Sequence, residues 1–118
     1  MNENTVKTKS FKFAIRTVHL YKYLCDEKKE FVLSKKILRS GTSIGANVRE
    51  SQNAESKADF IHKLGIAQKE TDETLYWLEL LVATDYIEEK LFQSLNYDAE
   101  EILKILRSII ISSKNNKG

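Results

Sequence analysis

One stretch limits what this chain can fold into more than any other. The run Arg39-Ser40-Gly41-Thr42-Ser43-Ile44-Gly45-Ala46-Asn47-Val48-Arg49-Glu50-Ser51 keeps a helical period while carrying mostly small and hydroxyl side chains. At 100° per residue, Ile37, Gly41, Ile44 and Val48 share one stripe, with Leu33 and Ser51 beside it. A glycine inside a helix costs roughly 1 kcal/mol against alanine, so two of them four apart point to a compensating contact. A turn at Gly41-Thr42-Ser43 between two short helices is the simpler reading of such residues, but the apolar stripe keeps its phase through both glycines. The segment predicts one helix in which Gly41 and Gly45 let a neighbouring helix backbone come close.

The rest of the composition agrees with a helical chain. With 118 residues there is room for one domain and one core. There is no proline, only four glycines, and 31% of the residues are charged. Long helices with solvated outer faces fit this better than sheet or disorder. The one cysteine, Cys25, cannot close an internal disulfide and reads as an ordinary thiol of a cytoplasmic protein. The first residues lack the apolar core of a secretion signal, and no run approaches the ~18 apolar residues a membrane span needs.

Four amphipathic segments are predicted, at about residues 10–28, 31–52, 58–84 and 88–113, with residues 1–9 a flexible N-terminal segment and 114–118 a frayed tail. Ser10 is the expected N-cap of the first, and Phe11, Ala14, Val18, Tyr21 and Cys25 its inner face, with Phe13, Thr17, Leu20 and Leu24 along a second side. The third repeats Phe60, Leu64, Ala67, Thr71, Leu75, Leu78 and Val82. The fourth is densest in apolar residues at Ile102, Ile105, Leu106, Ile109 and Ile110. Short connections favour antiparallel neighbours, so the predicted fold is all-α, an antiparallel up-down-up-down four-helix bundle.

The apolar surface exceeds what one such core needs. Ile66, Trp77 and Leu81 lie off the third helix's stripe, and the apolar arc of the fourth spans about 160°, wider than the usual ~100° of a surface helix. A subunit interface with Trp77 as an anchor is expected. The competing reading has Trp77 covering the edge of its own bundle.

Catalytic constellations are missing from the pattern. A bundle di-iron site needs two Glu-x-x-His pairs and two more glutamates, whereas this chain has two histidines, His19 without a carboxylate in reach and His62 three after Asp59. A helical ribonuclease with an Arg followed four to six residues later by His finds no match. Glu70, Asp72 and Glu73 have no nucleophile or positioned base beside them, and the glycines lack the lysine of a phosphate loop. No enzyme activity, metal or cofactor is expected.

Two features remain. Arg39, Ser43, Asn47 and Glu50 form a polar stripe, read first as a network with Arg39 as donor and Glu50 and Glu73 as acceptors, fixing helix register or subunit pairing. The second is charge asymmetry. Residues 1–50 hold eleven basic against five acidic residues, a balance of +6, and residues 51–118 hold eight against twelve, a balance of −4. Lys35, Lys36, Arg39 and Arg49 could then contact nucleic-acid phosphates in a salt-dependent, sequence-tolerant way, or the polarity could serve head-to-tail association.

The residues Arg39-Ser40, Thr42-Ser43-Ile44, Ala46-Asn47 and Glu50, then Asp59-Phe60-Ile61, Ile66-Ala67, and Glu73 with Tyr76-Trp77-Leu78, resemble the four-helix-bundle family named for the 23S rRNA intervening sequence. The resemblance runs in order and spacing over about residues 11–113. It implies a ring-like homo-oligomer, usually a pentamer, with no established enzymatic activity. A more distant similarity is to the accessory variability protein of diversity-generating retroelements, a basic pentamer that works with a reverse transcriptase and RNA. The resulting expectation is a non-enzymatic homo-oligomer that engages RNA or a nucleoprotein partner through its first two helices. The alternative is a protein-interaction scaffold with no nucleic-acid function. No membrane partner is expected under either.

Overall fold

The computed structural model describes residues 3–116, which form four helices and, among the described residues, no strand: α1 (Glu3–Asp26), α2 (Leu33–Ser51), α3 (Lys57–Ala83) and α4 (Glu89–Asn115). Each helix packs closely on two others, α1 on α2 and α4 and α3 on α2 and α4, while the backbones of the diagonal pairs stay further apart. The result is a rod of 51 × 22 × 19 Å, one long helix in length and two helices across. Among the described residues no helix is long and apolar enough to cross a membrane.

The core is built from heptad seams. On α1 the buried residues are Val6, Ser10, Phe13, Thr17, Leu20 and Leu24, and on α2 the seam is Ser34, Ile37, Gly41, Ile44, Val48 and Ser51, with Ser40 buried beside it. Alternating three- and four-residue steps keep each seam facing its neighbours. Leu64, Ala67, Thr71, Thr74, Leu78 and Leu81 continue the pattern on α3, with Leu95, Ala99, Ile102, Leu106 and Ile109 on α4. Buried hydroxyls on these seams return to their own helices: Thr17 Oγ1 donates to the Phe13 carbonyl at 2.9 Å and Thr71 Oγ1 to that of Ala67 at 2.7 Å. Contacts between neighbouring helices run in reverse order. Ser10 lies by Gly45, Thr17 by Gly41 and Cys25 by Ser34. Arg39 lies by Glu73 and Glu50 by Lys63, while Lys9 pairs with Glu101 and Arg16 with Asp98.

Helix ends follow local chemistry. Ser56 caps α3, its Oγ accepting from the Asp59 N–H at 3.0 Å, while Asp59 accepts from the Glu55 N–H at 3.2 Å. Val32 offers α2 no side-chain cap, and the Glu30 carboxylate takes over, accepting from the N–H groups of Val32 and Ser34. Asp85 closes α3 in the left-handed region at φ 66°, which lets the Tyr86 N–H reach the Leu81 carbonyl at 2.9 Å.

The first helix departs from the sequence reading. Residues 3–9, expected as part of a flexible segment, are helical, and Ser10 is a mid-helix residue rather than a cap, its hydroxyl donating to the Lys7 carbonyl. The cause is Val6, which lies one heptad before Phe13 and has no exposed surface. Met1, Asn2, Lys117 and Gly118 lie outside the described residues, and Lys114 and Asn115 of the expected tail belong to α4. The expected inner face of α1 is also displaced: Phe11 is 55% exposed, and Ala14, Val18, Tyr21 and Cys25 are half-buried. The seam runs instead along the second side, Phe13, Thr17, Leu20 and Leu24, extended towards the start of the helix by Ser10 and Val6. On α2, Phe31 and Val32 precede the helix and are exposed.

Candidate functional site

The small-residue segment packs against α1. A Cβ added to Gly41 would stand 2.6 Å from Thr17 Cγ2 and 2.7 Å from its Oγ1, and one added to Gly45 would stand 3.3 Å from the Ser10 carbonyl oxygen. The first distance excludes any side chain without a shift, because Thr17 Cβ is itself 3.1 Å away and cannot rotate aside. Both glycines thus sit where α1 and α2 cross closely, and both meet hydroxyl residues of the α1 seam.

The opposite flank of α2 carries a polar clasp to α3. Arg39 grips Glu70 with both guanidinium arms, Nη1 to Oε2 at 3.2 Å and Nη2 to Oε1 at 3.1 Å, while Nη2 also donates to Glu73 Oε2 at 2.6 Å. Trp77 Nε1 donates to the same Glu73 oxygen at 3.0 Å, and Lys36 Nζ sits 5.6 Å from the centre of the Trp77 ring. The Trp77 N–H, then Arg39, hold the Glu73 carboxyl below its ordinary value, and Glu70 and Glu73 hold the Arg39 guanidinium firmly protonated. Beneath the clasp the buried Thr74 hydroxyl donates to Ser40 Oγ at 2.8 Å.

The expected polar stripe is therefore divided. Arg39 and Glu73 are joined, whereas Glu50 accepts from Lys63 at 2.9 Å, close to the far end of α2. Glu50 lies eleven residues from Arg39, roughly 16 Å along the helix at 1.5 Å per residue, too far for one network. Ser43 and Asn47 turn back onto their own helix, to the carbonyls of Arg39 and Ser43.

The four cations named for nucleic-acid contact do not converge. Arg39 is held by two carboxylates and Lys36 lies over Trp77, facing α3. Arg49 sits on the other flank, its guanidinium 5.9 Å from the centre of the Phe11 ring on α1. Lys35, near the start of α2, is exposed.

Of the three residues expected at a subunit interface, Leu81 is fully buried in the chain's own core and cannot serve there. The polar Thr74 breaks the apolar run and conceals that the α3 seam continues to Leu81. Ile66 is half-buried, and Trp77 packs against the core while its ring edge meets Tyr76, centroids 5.0 Å apart at 68°. Among the described residues, the large apolar side chains that do face outward are Phe11, Ile15, Phe31, Val32, Tyr76, Tyr97 and Ile111. Phe11 and Ile15 were legible as an i, i+4 pair once Phe13 and Thr17 were placed on the seam. Tyr76 and Tyr97 gave no periodic signal.

Between α1 and α2 the outward face forms a groove of about 440 Å³ lined by Lys7, Phe11, Ala14, Thr42, Gly45, Ala46, Arg49 and Glu50. Its floor is apolar and its edges are charged. Among the described residues no group of three or more His, Cys, Asp or Glu stands close enough to hold a metal ion.

No curated protein matches this chain. A crystal structure at 1.70 Å of a protein of unknown function from the S23 ribosomal protein family of Bacteroides thetaiotaomicron is 61% identical, with a TM-score of 0.92 over 93% of this chain and 98% of that one. The model of the 23S rRNA-intervening sequence proteins matches residues 2–108. With nearly its whole length matched, the chain belongs to the family of 23S rRNA-intervening sequence proteins.

Proposed function

We propose that this chain is a non-enzymatic scaffold that works as a homo-oligomer, its helices running up-down-up-down and its copies arranged in a ring. The reversed order of contacts along α1/α2, α2/α3 and α1/α4 supports the helix directions. The observation that carries self-association is the placement of apolar surface. The core is closed within the chain, yet among the described residues seven large apolar or aromatic side chains are left on the outside. Exposed groups of this kind mark contact surfaces when they gather into patches, and Phe11 with Ile15, and Tyr76 beside Trp77, do so. The Arg39 clasp has no nucleophile or general base in a cleft and supports helix register rather than chemistry.

Contact with RNA or a nucleoprotein is the second reading, supported by exposed Lys35 and by Arg49. Arg39 contributes little to it, because a phosphate would have to displace two carboxylates. The experiment is titration with generic single- and double-stranded RNA and DNA across a salt series, with native mass measured in the same buffers. A stable oligomer that binds no nucleic acid even at low salt supports the scaffold. Binding that falls steeply with salt and vanishes in a Lys35→Ala/Arg49→Ala chain would move the function to the basic helices.

A further inference from the structure

Two surface patches on this chain carry opposite charge and lie apart on its surface. The first is the α1/α2 groove. Phe11, 55% exposed, forms one wall, Ala14, Gly45 and Ala46 give a shallow floor, and Lys7 and Arg49 stand at the rim with Lys12 beside Phe11. None of these three cations takes part in an ion pair among the described residues, and the Glu50 carboxylate on the same rim is held by Lys63. The second is the outward stripe of α3, where Tyr76, 58% exposed, lies one turn after Asp72 and one turn before Glu79, both exposed. Neither carboxylate is in an ion pair among the described residues, and Lys69 is the one cation a turn further on. Each aromatic ring is already positioned, Phe11 under Arg49 and Tyr76 against Trp77. Within one chain the stripe lies level with the first half of α2, where Glu73 and Thr74 meet Arg39 and Ser40, whereas the groove lies further along α2, at Gly45, Ala46 and Arg49, on the side facing α1.

We propose that the α1/α2 groove of one copy receives the Asp72, Tyr76, Glu79 stripe of a second copy. The inference rests on the self-association reading and gives it a surface. Groove against groove or stripe against stripe would bring like charges together, so the contact runs head to tail, each chain using both patches. A contact of that kind repeats from copy to copy and closes into a ring when its rotation allows. Tyr76 enters the groove beside Phe11, and Asp72 and Glu79 meet the rim cations.

Charge exchange tests it by sedimentation equilibrium. Lys7→Glu/Arg49→Glu and Asp72→Lys/Glu79→Lys should each weaken assembly by roughly tenfold or more, while a chain carrying all four substitutions should regain it. If either double variant loses helical content, Phe11→Ala and Tyr76→Ala, which remove only exposed rings, carry the same test by weakening assembly with helicity intact. An oligomeric parent chain whose mass is indifferent to both double variants would overturn the proposal while leaving self-association standing. Weakened doubles with no recovery in the fourfold chain overturn the pairing of these two patches. A parent chain that stays monomeric fails both. Loss of binding to a uridine homopolymer in the groove variant, with its mass unchanged, would assign the groove to nucleic acid instead.

Discussion

Gly41→Ala should destabilise the protein although alanine is the better helix former. The propensity gain is roughly 1 kcal/mol. Against it, the new methyl would stand 2.6 Å from Thr17 Cγ2 and 2.7 Å from Oγ1, and overpacking of this sort costs about 1–3 kcal/mol. A net loss of about 1 kcal/mol is expected. Gly65→Ala is the internal control: a Cβ there meets nothing within 4 Å, so the propensity gain should appear undiminished, about 1 kcal/mol of stabilisation. The same substitution at two helical glycines should therefore differ by about 2 kcal/mol. In a chain of this length that is on the order of 8 °C in Tm. In a Thr17→Ala background much of the Gly41→Ala penalty should disappear, since the two atoms nearest the new methyl, Thr17 Cγ2 and Oγ1, are gone. Urea unfolding of the four chains, at one fixed protomer concentration because assembly contributes to stability, gives the interaction energy directly. A Gly41→Ala chain as stabilised as Gly65→Ala would refute the close α1–α2 crossing.

Val6→Ala should cost about 1–2 kcal/mol by removing buried methyls, and an unchanged melting curve would mean that the start of α1 is not docked. Arg39→Ala should cost on the order of 1 kcal/mol, the range for partly exposed pairs, read by urea titration at low and high salt, with the loss smaller in high salt. The acid limb of stability should depend on Glu73: its carboxyl is held below 4.5 in the folded chain, so its contribution is present above about pH 4.5 and drains away as pH falls through the folded value. Glu73→Gln should flatten that part of the stability–pH curve, and a curve that keeps its slope would show the titration lies elsewhere. Thr74→Val should cost about 1 kcal/mol through the lost bond to Ser40, seen as a lower urea midpoint.

The sequence was legible where apolar period and residue size agree. The α2 stripe Ile37, Gly41, Ile44, Val48 is buried as read, and the two glycines lie at a helix crossing. It was misleading where buried positions are polar. Ser10 and Thr17 sit on the α1 seam, satisfied by carbonyls of their own helix, and Thr74 sits on that of α3, donating to Ser40, so the apolar count favoured the Phe11 stripe over the Thr17 stripe as the inner face of α1 and moved Leu81 from the core to a surface. The Arg39–Glu73 pair could be anticipated from charge and helix face. Glu70 as the bidentate partner, and Lys63 as the partner of Glu50, depend on how α2 and α3 are offset along their axes, which period alone does not encode. The cationic rim around Phe11 joins residues of two helices and becomes a patch only once they pack.

Self-association through these surfaces is tested most directly by the native mass of the unmodified chain over a dilution series at low and high salt. A mass several times 13.6 kDa is expected, from a particle that dissociates sooner in high salt because charged rims align the copies. A particle of 13.6 kDa at every concentration would contradict it, leaving the outward aromatic residues without the partner on which this reading depends.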